Sequence, residues 1–478
     1  MKSFRISCFA ISLLGLASYC FAQDSIESQV EKLLANPGLK GGIQGIVIES
    51  LKTGKVLCEH NPDLHFVPAS NNKLLTATAT LALLGPEYAY HTRLLAAKPI
   101  SDGKIDGDLY LKGSGDPILL FADIDGLAEK LKALGVKSIS GNIVADSSRF
   151  DNKVYGFGWE WDDMPFYYSA QVSGLNLNEN MATITVTPGK KVGDSVKTVV
   201  APLPDEFEVI NKGTTGVKGS PDSIAVTRVL GKNLLVITGS VAVDKKQDKK
   251  STISITVEDP PLYAASYLAL KLKQAGIRCK KVVEGIAPEN AELLAETVSP
   301  PLSVVLARMN KPSDNLIAEC MLKTLGAEMG SKHIGSTEIG RDASMAWYKA
   351  HGVDTGAIHM VDGSGLSRHN LVSPRAYCQM LKAAYKLPTF KTLYDSLPIV
   401  GVDGTAKNRL KGTLAQGNSH IKDGYVQFAS SLSGYVKNRN GEELVFVMFM
   451  NNHTTSNSVP TAVQDAILRL LSESKSEP

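Results

Sequence analysis

A serine and a lysine three residues apart, Ser70 and Lys73, open a stretch of helical spacing. A serine in the first turn of a helix places its hydroxyl near the positive end of the helix dipole, and a lysine three residues on lies on the same face. If burial and nearby cations lower the lysine pKa, the neutral amine can take the serine proton and create a nucleophile. The same pattern occurs at residues 101–104, 419–422 and 472–475, so alone it also describes a solvated surface.

A second polar segment, Ser313-Asp314-Asn315, lies in a break between two stretches of helical spacing. A hydroxyl there could relay a proton to a leaving amine, and the Asn amide could hold a substrate carbonyl. The same residue types also form an ordinary helix cap. The segment alone leaves both interpretations open.

A third segment, Lys422-Asp423-Gly424, comes before the last predicted β-hairpin. Glycine in an edge strand lets another backbone approach closely, and an extended peptide can add to such an edge. The segment is therefore a candidate for binding a peptide.

These segments need rigid elements to position them, and hydrophobic periodicity predicts where those elements lie. The predicted elements are a hairpin at 43–58, a helix at 71–84 ending at Gly85-Pro86, a helix at 123–135, strands within 182–256, helices within 263–276, 304–326 and 337–352, a hairpin turning at Asn440-Gly441, and a helix at 459–472. Helical spacing thus flanks a long region of short strands.

This order predicts an α/β body that is interrupted by a mostly β insertion. We expect the body to comprise residues 23–92 and 258–478, and the insertion to comprise residues 93–257. The insertion divides into a mixed α/β part at about 93–180 and a β-rich part at about 181–257, which predicts two subdomains.

The charge balance argues against nucleic acid as a partner, and the motifs give no sign of a metal site or cofactor. Lys and Arg number 51 and Asp and Glu 48; without Lys2 and Arg5 the chain carries 49 positive residues against 48 negative ones. So neutral a chain lacks the basic face that nucleic acid binding requires. The sequence contains neither HExxH nor CxxC, so neither a metal site nor another cofactor is predicted.

Residues 1–22 have the pattern of a secretory signal peptide. Lys2 and Arg5 form a positive end, an apolar run follows to about Leu16, and Cys20-Phe21-Ala22 offers small residues at the positions that a signal peptidase reads. We expect cleavage after Ala22 and a secreted, periplasmic protein. The apolar run is shorter than the roughly 20 residues that span a bilayer, so no stable membrane anchor is expected.

Other hydrolase classes find little support in the motifs. The nucleophile-elbow pattern GxSxG does not occur. The glycine-rich segments 113–116 and 363–365 lack the lysine that follows in a phosphate-binding loop. We interpret both segments as tight turns.

The three polar segments, in this order, resemble the SxxK, SxN and KTG motifs of penicillin-binding proteins and serine β-lactamases. Longer strings are similar to those of peptidase family S13, the D-alanyl-D-alanine carboxypeptidase/endopeptidases of the class C penicillin-binding protein type. The strings are VPASNNKLLTATATL, DLYLKGSGDP, GFGWEWDDMPFYYSA, MNKPSDNLIAE, VDGSGLSRHNLVSP and GVDGTAKNR. The resemblance implies a serine β-lactamase/DD-peptidase-like body, with an antiparallel sheet flanked by helices.

The resemblance also implies a role for each motif residue. Ser70 would be the acylated nucleophile and Lys73 its general base. Ser313 would shuttle a proton, and Asn315 would bind the peptide carbonyl of the substrate. Lys422 would stabilise charge beside Ser313 and attract the substrate carboxylate.

The implied substrates are peptidoglycan stem peptides and cross-links, cleaved after a D-alanine, with β-lactams as inhibitors. The backbone N–H groups of Ser70 and Tyr425 would form the oxyanion hole, and Gly424 would let the peptide approach. Asp163, in the insertion, is the candidate to hold the amine of the diamino acid in the stem; a surface loop aspartate is the alternative. A homodimer is left open by the sequence.

The third motif departs from the family pattern, because Asp423 stands where the family has Thr. The Thr hydroxyl donates a hydrogen bond to the substrate carboxylate, which an ionised Asp cannot do. Two like charges about 4 Å apart repel by roughly 4 kcal/mol at an effective dielectric of ~20, enough for about a thousandfold loss. Lys422 can offset part of this repulsion, and a protonated Asp423 would restore a donor.

Three outcomes are open. The protein acts on an altered stem or cross-link whose carboxylate is masked or differently placed; it acts slowly on the usual one; or it is a weakly active or inactive peptidoglycan-binding homologue. Because Ser70, Lys73, Ser313 and Asn315 are all present, we favour an active enzyme. An Asp423→Thr variant is expected to act faster on simple D-Ala-D-Ala peptides.

Overall fold

The computed structural model describes residues 25–245 and 252–475, so the expected signal peptide lies outside the described residues. The helices are α1 Ile26–Leu34, α2 Asn72–Leu84, α3 Phe121–Ala133, α4 Pro260–Gln274, α5 Leu302–Asn310, α6 Asn315–Met329, α7 Thr337–Ala350, α8 Pro374–Tyr385, α9 Phe390–Ser396 and α10 Ser458–Glu473. The strands are β1 Ile43–Ser50, β2 Val56–His60, β3 His91–Ala96, β4 Lys104–Ile105, β5 Leu109–Lys112, β6 Ser138–Ile139, β7 Ile143–Asp146, β8 Met181–Thr187, β9 Lys197–Ala201, β10 Glu208–Asn211, β11 Thr214–Gly216, β12 Ala225–Arg228, β13 Leu234–Thr238, β14 Ser240–Ala242, β15 Thr252–Thr256, β16 Val282–Glu284, β17 Glu292–Val298, β18 Ile358–His359, β19 Leu371–Val372, β20 Ser419–Val426, β21 Ala429–Lys437 and β22 Glu443–Asn451.

The body is built on an antiparallel sheet with the strand order β2-β1-β22-β21-β20. Side chains alternate between its faces, as the pleat requires. Ile46 and Ile48 pack in the core formed with α1 and α10, whereas Val47 packs in the core formed with α2 and α8. Helices therefore cover both faces, and the predicted α/β body with an antiparallel sheet is confirmed.

The insertion has a core of its own. A mixed sheet with the order β16-β7-β5-β3-β17 packs against α3 and α4. Short sheets from β8 to β15 follow, and their apolar side chains join the same core, as Ile184 and Leu235 do.

The packing places the end of this unit further along the chain than the expected boundary at residue 258. Tyr263 and Leu268 of α4 lie in the core of the insertion, and β16 and β17 are strands of its sheet. The chain rejoins the core of the body at α5, through Leu302 and Val305. The helical spacing of α4 resembles that of the body helices, so periodicity alone does not show whether a helix packs in the body or in the insertion.

Several helices lie where no helix was predicted. They are α1, α8 and α9. Helix α8 carries readable signals, because Ser373 caps it and Pro374 occupies its first turn. Among residues 25–245 and 252–475, no helix is both long enough and apolar enough to cross a bilayer.

Candidate active site

The backbone sets Ser70 at the start of a helix. Residues Ala69–Asn71 form a single 3-10 turn that leads directly into α2, so the Ser70 N–H lies at the positive end of the helix dipole. Ala69 has a left-handed φ of 48°, a strained conformation that is common at functional sites. A Cβ on Gly365 would lie 1.9 Å from the Ala69 carbonyl oxygen, so only glycine fits against this turn.

Lys73 is fully buried, and its Nζ atom has three oxygen neighbours. Nζ lies 3.1 Å from Ser70 Oγ, 2.5 Å from Asn315 Oδ1 and 2.8 Å from the Ser364 carbonyl oxygen. The last two atoms can only accept hydrogen bonds. A neutral Lys73 amine therefore donates its two N–H groups to them and directs its lone pair at the Ser70 hydroxyl, as a general base must.

The surroundings of Lys73 favour the neutral amine. Burial, and after it the positive charge of Lys422, lowers the pKa of Lys73 to about 7. The carboxyl groups of Asp362, Asp314 and Glu319 oppose this shift. Since an unperturbed lysine has a pKa of about 10.4, a large fraction of Lys73 can accept a proton at neutral pH.

The segment 313–315 joins α5 to α6 and is both a helix cap and part of the site. Asp314 Oδ1 accepts a hydrogen bond from the backbone N–H of Ile317 at 2.8 Å. Asn315 contacts Lys73 directly. Ser313 has a left-handed φ of 66° and is partly exposed; within the described part of the chain it forms no hydrogen bond with Ser70 or Lys73.

The insertion reaches this site through residues 163–168. Asn315 Nδ2 donates to the Tyr168 carbonyl at 2.8 Å, and Tyr168 Oη donates to Asp163 Oδ1 at 2.7 Å. Burial, and after it this hydrogen bond, raises the pKa of the Tyr168 phenol. Tyr168 thus links Asp163 to Asn315 through two hydrogen bonds. The role of Asp163 in binding an amine stays a prediction.

The third motif lies in β20, at the edge of the body sheet. A Cβ on Gly424 would lie 2.6 Å from the Ser70 backbone nitrogen, so the strand passes against Ser70. Lys422 is buried, and its Nζ donates to the Asp423 carbonyl at 2.6 Å. The Tyr425 side chain is 52% exposed. Tyr425 directly follows Gly424 in this strand, and its part in an oxyanion hole stays a prediction.

Asp423 carries a negative charge. Thr405 Oγ1 donates to Asp423 Oδ1 at 2.6 Å, and Lys422 Nζ lies 3.5 Å from the same oxygen. Burial disfavours the carboxylate, but the charge of Lys422, the hydrogen bond from Thr405 and the charge of Arg409 together outweigh it, so the pKa of Asp423 is lowered. These contacts disfavour the protonated Asp423 that was considered from the sequence.

Three site residues are not predicted from the sequence, in which 363–365 indicates only a tight turn. The Ser364 carbonyl accepts from Lys73. The buried Glu319 carboxylate accepts from the N–H groups of Gly363 at 2.9 Å and Ser364 at 2.8 Å. Asp362 accepts from the Gly365 N–H at 2.8 Å. One signal was present, because Glu319 is an acid within an otherwise apolar part of α6.

Comparisons with known proteins agree on one family. Residues 26–474 match the family described as D-Ala-D-Ala carboxypeptidase 3 (S13). The chain is 33% identical over 464 residues to a D-alanyl-D-alanine carboxypeptidase of Actinomadura sp. strain R39, covering 94% of this chain and 84% of that protein. The crystal structure of penicillin binding protein 4 from Haemophilus influenzae is similar with a TM-score of 0.80 and 29% identity, covering 92% and 98% of the two chains. The structure of that protein with a β-lactam is similar with a TM-score of 0.76 and 28% identity, covering 93% and 98%.

Proposed function

This chain belongs to the D-Ala-D-Ala carboxypeptidase 3 (S13) family, and on that premise we propose that it is a serine DD-peptidase. Its substrates are peptidoglycan stem peptides or cross-links, which it cleaves after a D-alanine. The observation that carries the proposal is the position of Lys73 Nζ, 3.1 Å from Ser70 Oγ and held by two acceptors. Weak or absent catalysis is the less favoured alternative, since this base geometry is intact.

Acylation uses Ser70 and Lys73. Ser70 Oγ attacks the carbonyl carbon of the D-alanine while Lys73 takes the hydroxyl proton. The backbone N–H groups of Ser70 and Tyr425 stabilise the negative oxygen of the tetrahedral intermediate. The C–N bond then breaks, and the proton that Lys73 took passes through Ser313, beside the charge of Lys422, to the leaving amine, so Lys73 is neutral again.

Deacylation releases the shortened peptide. A water molecule gives its proton to Lys73 and attacks the ester carbon. The ester bond breaks, the proton returns to Ser70 Oγ, and the peptide leaves as a carboxylic acid. A β-lactam acylates Ser70 in the same way, but its leaving nitrogen stays attached to the product. Whether the leaving amine belongs to a terminal D-alanine or to a cross-link distinguishes carboxypeptidase from endopeptidase action.

The proposed site of action is the periplasm, after cleavage of the leader behind Ala22. The support is the signal-peptide pattern of residues 1–22. Sequencing the N-terminus of the secreted protein tests this assignment, and sedimentation of the same sample tests for a homodimer.

The catalytic proposal is tested by intact-mass measurement after incubation with benzylpenicillin. We expect one penicilloyl adduct on the wild type and none on Ser70→Ala. Ser101→Ala is the matched control, because Ser101 and Lys104 have the same spacing outside the site, and it should keep the adduct. A wild type that forms no adduct, releases no D-alanine from stem peptides and cleaves no cross-link would overturn the proposal.

A further inference from the structure

Asp423 lies in the strand that passes against Ser70. Asp423 directly precedes Gly424, which packs against the Ser70 backbone nitrogen. One strand residue spans only about 3.3 Å. The Asp423 side chain is 28% exposed, so it is accessible to a ligand that lies along this strand. Asp423 also lies next to Lys422, the residue assigned to the leaving-group side of the reaction.

Two hydrogen-bond donors beside Asp423 are already in use. The Thr405 hydroxyl donates a hydrogen bond to Asp423 Oδ1. Lys422 donates to the Asp423 carbonyl and has no exposed side-chain surface. Within residues 25–245 and 252–475, Asp423 Oδ2 accepts no hydrogen bond from another residue. A carboxylate can accept about four hydrogen bonds, so this subsite offers free acceptors to a ligand.

The charges of the subsite favour a neutral ligand group. Lys422 and Asp423 balance each other at 3.5 Å, and Arg409, whose positive charge also acts on Asp423, is itself paired with Asp465 at 2.7 Å. A ligand carboxylate at Oδ2 would meet a like charge. A ligand ammonium would meet Lys422 and Arg409. A primary carboxamide is uncharged and carries two N–H donors, so it matches both the free acceptors and the balanced charge.

We infer that Asp423 selects peptides in which the carboxyl group beside the leaving amine is a primary carboxamide. The preferred substrate class is therefore an amidated stem peptide or cross-link rather than one with a free carboxylate. The inference rests on the proposed function, because it concerns the leaving-group side of the same site. Ser70 still breaks the same C–N bond, and the carboxamide leaves unchanged on the released amine.

The test uses two peptides that differ only at this group, acyl-D-Ala-D-Ala and acyl-D-Ala-D-Ala carboxamide. The mature protein is assayed for kcat/KM on both. We expect at least a tenfold preference for the carboxamide in the wild type, a preference for the carboxylate in Asp423→Thr, and a lost preference in the isosteric Asp423→Asn. Asp395→Asn removes a surface carboxylate that is paired with Lys391 and should keep the wild-type ratio.

The outcomes separate this inference from the proposed function. Turnover of both peptides with an equal ratio, or with the carboxylate favoured, overturns the inference and leaves the peptidase assignment standing. Turnover of neither peptide, with no acylation of Ser70, overturns both. If Asp423→Thr does not fold, Asp423→Asn still decides, because an unchanged ratio in that variant removes Asp423 from selection.

Discussion

The indole Nε1 of Trp159 donates a hydrogen bond to Asp362 Oδ2 at 3.1 Å. Trp159 belongs to the insertion, whereas Asp362 begins the turn that presents the Ser364 carbonyl to Lys73. The same carboxylate accepts from the N–H of Ser367 at 2.7 Å. The insertion therefore helps to hold the turn that contacts Lys73.

Replacing Trp159 with Phe should weaken both the fold and the site. The variant leaves a buried carboxylate with one donor fewer, which costs about 1–3 kcal/mol. We expect a lower free energy of unfolding in urea and slower acylation by benzylpenicillin. Trp161→Phe is the control for stability, since Trp161 is 72% exposed. Equal unfolding midpoints for the two variants would contradict a structural role for the Trp159 bond.

The rate of acylation should follow the protonation of Lys73. Because burial and the charge of Lys422 lower the pKa of Lys73 to about 7, the amine is protonated and inactive below that pH. The rate at Ser70 should therefore rise as pH increases through about 7. Stopped-flow acylation across pH 5 to 9 measures the midpoint. A rate independent of pH in this range would argue against Lys73 as the base.

Two buried neighbours should move that midpoint in opposite directions. Burial, and after it the charge of Asp362, raises the pKa of Glu319 to about 7. Where the Glu319 carboxyl is ionised it favours the cationic form of Lys73, so Glu319→Gln should shift the midpoint to lower pH. Lys422 disfavours the cation, so Lys422→Gln should shift it to higher pH, in addition to slowing the reaction. NMR titration of the Lys73 Nζ signal reads the shift independently of rate. Shifts of the same sign in both variants would refute this electrostatic account.

The sequence was most informative where local patterns decide the structure. The helical run after Ser70 and the Asn440-Gly441 turn between β21 and β22 follow from spacing and turn chemistry alone. The edge position of β20 also agrees with the glycine at 424. Each of these features depends on neighbours close in the chain.

The remainder of the site depends on contacts that the local sequence does not encode. Ser364 contributes a backbone carbonyl, which any residue type could supply. Thr405 meets Asp423 only because a turn folds back beside β20. Likewise α4 has the periodicity of a body helix and packs in the insertion through Leu268, because tertiary partners decide which core a helix joins.

The close approach of β20 to the nucleophile gives a steric prediction. A Cβ on Gly424 would lie 2.6 Å from the Ser70 nitrogen and 2.4 Å from Ser431 Oγ, so Gly424→Ala must displace the strand. Loss of one oxyanion-hole donor costs about 10²–10³ in rate, and we expect a loss of acylation of that size. The control is Gly126→Ala in α3, where a Cβ meets nothing within 4 Å; it should acylate normally and gain about 0.5–1 kcal/mol of stability. Normal acylation of a folded Gly424→Ala protein would mean that β20 does not form one wall of the oxyanion hole.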